Sequence, residues 1–133
     1  MKVKKIQAFT LNEMLMVLAI IGILLLIALP QFMPLIAKAK GQEAKIQLKH
    51  IANLQTQHRF INSKFSADFN NIDYEAPKTV NEGGTANYRY ELIEASTTAF
   101  KARAEAVVDF DGDGVFNVWE IDENGNPKEI TKD

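Results

Sequence analysis

Hydrophobic and polar positions divide this chain into three stretches of different period. From Met14 to Leu29 it reads MLMVLAIIGILLLIAL, without one charge. Extended back to Phe9, the segment makes a helix of roughly 30 Å at about 1.5 Å per residue, near the thickness of a hydrocarbon core. Residues 35–65 follow a helical period instead. Ala44, Leu48, Ile51, Leu54, His58, Ile61 and Phe65 recur at spacings of three and four, while Lys38, Lys40, Glu43, Lys45, Lys49 and Arg59 fall largely off that stripe. Between them, Pro30 and Pro34 each lack an amide donor, so a kink or local melting is expected there. Residues 66–87 carry Asn70-Asn71, Pro77 and Gly83-Gly84 and read as loop. Alternation of period two then begins. Tyr88, Tyr90 and Leu92 form one face, and Phe100, Ala102, Ala104, Ala106 and Val108 another. Residues 115–121 and 128–131 make two further strands, joined by a turn at 123–126, with Trp119 in the core. The expected class is α+β: a long N-terminal helix, transmembrane in its first half and amphipathic in its second, packed on a small antiparallel sheet.

Composition narrows the functional classes. The chain has 133 residues, enough for one small domain plus an extended element. Its formal net charge is −2, which gives no general argument for nucleic-acid binding. Cysteine is absent, so disulfides and thiolate chemistry are excluded. Lys2, Lys4 and Lys5 precede the apolar run, which predicts a cytoplasmic N-terminus with everything after Pro30 on the other side. A cleaved secretory signal shares the basic start, but the run is long for one, and Leu29-Pro30-Gln31-Phe32 offers no small-x-small cleavage site.

Glu13 stands out at the head of the apolar run. A carboxylate in mid-bilayer costs about 2.5–3.5 kcal/mol, and less near the interface, where it reaches the headgroups. It lies one helical turn after Phe9. Were the chain cut before Phe9, the new α-amino group would be mostly positive at neutral pH, with a reference pKa of about 7.7–8.0. That amine could neutralise Glu13 of the same or a neighbouring chain.

The string Lys5-Ile6-Gln7-Ala8-Phe9-Thr10-Leu11-Asn12-Glu13 with the apolar run behind it resembles the class III leader of type IV prepilins and type II secretion pseudopilins. The resemblance implies a pilin-like fold divided into a leader (1–8), a transmembrane and filament-core helix (9–34), an amphipathic helix (35–65) and a small β domain (66–133). It implies cleavage by a prepilin peptidase between Ala8 and Phe9 and methylation of the Phe9 amine. Glu13 matches the glutamate that pairs with an adjacent subunit's amine during assembly. Ala8 stands where the family usually has Gly. Gly22 and Pro30 fall where it tends to have helix-weakening residues. The implied protein is a structural filament subunit. It would begin in the inner membrane as a single-pass protein with a periplasmic domain, and then form a homo-oligomeric filament driven by a cytoplasmic ATPase and an inner-membrane platform. The small domain and the lack of a C-terminal disulfide favour a secretion pseudopilus over a pilus.

Residues 109–120 read DFDGDGVFNVWE. Against a twelve-position EF-hand loop, Asp109, Asp111 and Asp113 take positions 1, 3 and 5, and Gly114 takes the sharp-turn position 6. Val115 would offer its carbonyl at 7, with Asn117 at 9 and Glu120 at 12. Calcium wants six to eight oxygens, and carboxylates two residues apart on a tight loop converge. A structural Ca2+ ion is therefore expected; the plain alternative is an Asp/Gly-rich hairpin turn. Strand-like sequence before the loop makes this an EF-like loop in a β setting, and it too resembles the calcium site of major pseudopilins. His50 and His58 read as stripe or surface residues, since no third ligand lies nearby. Two other classes remain. A membrane-tethered calcium-binding module would keep its leader and would not need the Phe9–Glu13 motif. An enzyme would need a nucleophile elbow, a phosphate-binding glycine loop or a zinc motif, and none is present.

Overall fold

The computed structural model describes residues 2–133. Residues 2–10 are not helical, and a single helix, α1 (Leu11–Asn62), follows. Two short 3-10 turns (Phe69–Ile72 and Val80–Glu82) lead into four strands: β1 (Tyr88–Ala95), β2 (Phe100–Ala106), β3 (Val118–Asp122) and β4 (Lys128–Thr131). The chain forms two compact units, the first ending at Met33 and the second spanning Pro34–Asp133.

In the first unit every side chain from Leu11 to Leu26 is exposed, and α1 is long and apolar enough to cross a membrane. Helical structure runs through Pro30 and Pro34 unbroken, so the expected local melting does not occur. The carbonyls of Leu26 and Pro30 still lose their usual helical donors, because proline has no N–H.

In the second unit the buried face of α1 is Ala37, Gly41, Ala44, Leu48, Ile51, Ala52 and Gln55, a three–four spacing as expected. The stripe is shifted toward the N-terminus. Ile61, expected on it, is 82% exposed, and Phe65 is buried but lies beyond the helix end. The sheet is a meander in the order β1-β2-β3-β4, antiparallel throughout. The inward positions of β2 are Phe100, Ala102, Ala104 and Ala106, all buried. Three alanines in a row leave room for the α1 side chains that complete one core with Tyr88, Tyr90, Trp119 and Ile121. β3 starts three residues later than expected, which leaves Val115 to Asn117 in the preceding loop.

Buried and part-buried polar side chains tie the loops to this core. The Gln55 amide donates to the Ser66 carbonyl at 2.7 Å and accepts from the Ser66 N–H at 2.9 Å, fixing the chain reversal after α1. Glu43 accepts from both the backbone and the side chain of Asn87 at 2.9 and 2.8 Å, anchoring the entry to β1. The outward face of the sheet carries ion pairs, Arg89 with Glu105 and Arg103 with Glu91 and Glu120.

Candidate functional sites at the helix start and the acidic loop

The helix begins with a reciprocal pair of hydrogen bonds. Thr10 N–H donates to Glu13 Oε2 at 2.7 Å, and Glu13 N–H donates to Thr10 Oγ1 at 3.3 Å. This is a capping box, satisfying two amide donors that the first turn would otherwise leave free. A negative carboxylate there also complements the helix dipole. The Thr-x-x-Glu spacing ahead of an apolar run is its sequence signal, which reading Glu13 only as an assembly carboxylate overlooks. The Ala8–Phe9 bond lies in exposed, non-helical backbone just before this cap. Gln7, Ala8, Phe9 and Glu13 line one shallow recess of about 210 Å³. The structure thus brings the three N-terminal residues of interest together.

The acidic loop is organised by its own backbone. Asp109 accepts from Gly112 N–H at 2.6 Å and Gly114 N–H at 2.7 Å. Asp111 accepts from Asp113 N–H at 3.0 Å, and Asp113 from Val115 N–H at 2.7 Å. Gly112 and Gly114 take φ of 83° and 87°, a left-handed geometry that glycine adopts without strain. The Gly114 and Gly112 amides hold the Asp109 carboxyl below its ordinary pKa. For Asp111 the Asp113 amide acts in the same direction, but lost solvation and the charges of Asp113, Asp133 and Asp109 outweigh it, leaving Asp111 raised.

Three of the six expected ligands meet here, joined by a residue that the sequence pattern did not single out. One carboxylate oxygen from each of Asp109, Asp111, Asp113 and Asp133 lies within 4.8 Å of the others. Asp133 Oδ2 accepts from Phe110 N–H at 2.9 Å, while its Oδ1 is buried without a partner. No local spacing could have found Asp133, because β3 and β4 intervene. Val115 stays in the loop.

The EF-hand register fails at its last two side chains. Asn117 is buried, and its amide is fully used: Oδ1 accepts from Tyr88 Oη and Trp119 Nε1, and Nδ2 donates to Glu129 Oε1 and the Thr131 carbonyl. Glu120 lies within β3, where it accepts from Arg103 Nη2 at 2.7 Å and Nε at 2.9 Å. An EF-hand continues into a helix that swings position 12 back to the ion. Here a strand follows, and its alternation sends Glu120 to the outer face. His50 packs beside Tyr74, and His58 Nδ1 lies 2.9 Å from the Lys64 carbonyl, as surface and stripe residues do.

Comparison with known proteins bears on the helix start. The family model described as the prokaryotic N-terminal methylation motif matches residues 3–29. The N-terminal segment of this chain thus carries that motif. The chain is also similar to the type IV major pilin protein PilA of Myxococcus xanthus (strain DK1622), with 38% identity over 78 residues. That match takes in 59% of this chain but 35% of the pilin, so the chain spans about a third of its relative's length. The α+β architecture, a long N-terminal helix on a four-stranded antiparallel sheet, agrees with the pilin-like fold that the resemblance implied.

Proposed function

We propose that this chain is a prepilin-class filament subunit, cut by a prepilin peptidase between Ala8 and Phe9, N-methylated on Phe9 and assembled through α1. The observation that carries the reading is the run of exposed apolar side chains from Met14 to Leu26, headed by a capped carboxylate at Glu13. Such a surface is stable in lipid or against like helices, not in water. Assembly exchanges one apolar surrounding for another, so extraction needs an external motor. By the resemblance, that is a cytoplasmic ATPase acting through an inner-membrane platform. Before extraction the leader lies in the cytoplasm and the second unit in the periplasm. The capping box uses the amide between Phe9 and Thr10, which the cut leaves intact. After cleavage Glu13 therefore keeps its place and gains an amine partner, its own or a neighbour's. Glu13→Ala removes the partner of that amine, and assembly in cells should fall to a small fraction of the parent level. Undiminished assembly would refute the pairing.

The acidic loop and the cysteine-free chain favour a secretion pseudopilus. The likeness to a major pilin favours a pilus. Electron microscopy of surface filaments beside a secretion assay separates the two.

We further infer that the acidic loop holds a structural Ca2+ ion through Asp109, Asp111 and Asp113, with Asp133 in place of Asn117 and Glu120. The buried, unpartnered Asp133 Oδ1 and the raised Asp111 carboxyl both suit a cation at this point, and an all-oxygen donor set suits calcium. At free calcium 100 times the dissociation constant, binding adds about 2.7 kcal/mol to stability. Chelation should therefore lower the melting temperature of the wild type and leave Asp133→Asn less affected. Equal melts with and without chelator would remove the ion from the account.

A further inference from the structure

The second unit opens with a basic groove that the filament reading does not use. It has a volume of about 370 Å³ and lies between the first turns of α1 in that unit and the end of β4. Lys38 and Lys45 of α1 and Lys132 beyond β4 line it, with Pro34 and Leu35 at one end and Trp119 as an apolar wall. Among the described residues none of these three lysines forms an ion pair, whereas Arg89, Arg103 and Lys128 each meet a carboxylate. Lys45 Nζ instead sits 4.6 Å from the centre of a Trp119 ring. Two carboxylates also reach the groove: Glu129 Oε1 accepts from the Asn117 amide and Asp133 Oδ2 from the Phe110 N–H, and neither forms an ion pair with these lysines. The groove thus pairs uncommitted ammonium groups with an apolar wall.

We propose that this groove binds the headgroup of an anionic phospholipid, a deepening that rests on the membrane-spanning reading of residues 9–34. Chain connectivity supports this occupant. Pro34 and Leu35 line the groove and lie near the end of the uncharged stretch that runs from Met14 to Ala37. Lys38 follows that stretch directly. The phosphate meets the ammonium groups of Lys38, Lys45 and Lys132. The glycerol and first acyl carbons meet Leu35, Pro34 and the Trp119 ring, a residue type favoured at membrane interfaces. A second copy of the chain would have to bring an acidic segment into the membrane surface to compete.

The test uses the full chain in lipid discs. Trp119 is the sole tryptophan and lines the groove, so its quenching by a headgroup-nitroxide lipid reports occupancy. Discs of zwitterionic lipid are compared with discs containing phosphatidylglycerol. Co-elution of protein with either disc checks the membrane span independently of the groove. The proposal expects stronger quenching with phosphatidylglycerol, reversed by high salt. It also expects apparent lipid affinity to fall about fivefold for each lysine removed in K38Q and K132Q, with an unchanged thermal melt showing that the variants are folded. Equal quenching in both discs overturns it. So does a Trp119 response that follows inorganic phosphate in zwitterionic discs, or one that follows protein concentration rather than lipid.

Discussion

Asn117 is buried, and its amide serves four groups from three strands. Replacing it with alanine strands the Tyr88 hydroxyl and the Trp119 N–H in a buried setting, and each orphan costs about 1–3 kcal/mol. Asn117→Ala should therefore destabilise the second unit by about 3 kcal/mol in urea denaturation; a loss below about 1 kcal/mol would refute the strut role. Glu82 gives a pH signature. Its carboxylate accepts from Thr79 N–H at 2.9 Å and Thr79 Oγ1 at 2.8 Å. The backbone bond first, then the hydroxyl, lower its pKa below the ordinary 4.5. A depressed carboxyl stabilises the fold above its unfolded pKa and loses that contribution as pH falls through the folded one. Glu82→Gln should lower the melting temperature near neutrality and change little at low pH, where Glu82 is protonated, so the acid limb in pH-dependent melts should flatten. At this scale the clustering of Asp109, Asp111 and Asp113 was legible in the sequence, because their spacing is local. It misled at Asn117 and Glu120, because a strand rather than a helix follows the loop. It was silent on Asp133, which only the closed sheet brings to the cluster.

Among the elements, α1 carries the clearest tests. Gly41 is buried on its inner face, and a Cβ there would sit 3.5 Å from Trp119 Nε1, an ordinary contact. Gly41→Ala should stabilise by about 0.5–1 kcal/mol through helix propensity alone. Gly41→Leu must displace the Trp119 ring and should destabilise; paired melts of the two variants check this. Thr10→Ala removes the N-cap and should cost about 1 kcal/mol of helix stability, seen as fraying of the first turn in amide exchange. α1 could be read from its periods because an unbroken apolar run and a three–four stripe are strong signals. The prolines misled, since two missing amides did not interrupt the helix. The Ala-rich β2 was legible through alternation, although alanine itself favours helix. Its neighbours supply what its own composition lacks, pairing along seven residues with β1 and five with β3.

For the whole molecule, the two units divide the labour. The second has its own core, built from the inner face of α1 and the sheet. Among the described residues of the first, the apolar side chains from Met14 to Leu26 are all exposed, a surface that water does not favour. That asymmetry was readable from the sequence before any fold was known, because charge disappears from Met14 to Leu29 and returns after it. On the proposed reading, the chain that enters a filament was not readable, since it would depend on a cut made by another protein. Mass spectrometry of the N-terminal peptide from native material tests this most directly. The account predicts a peptide beginning with N-methyl-Phe9. A mature protein that still carries residues 1–8 would contradict it.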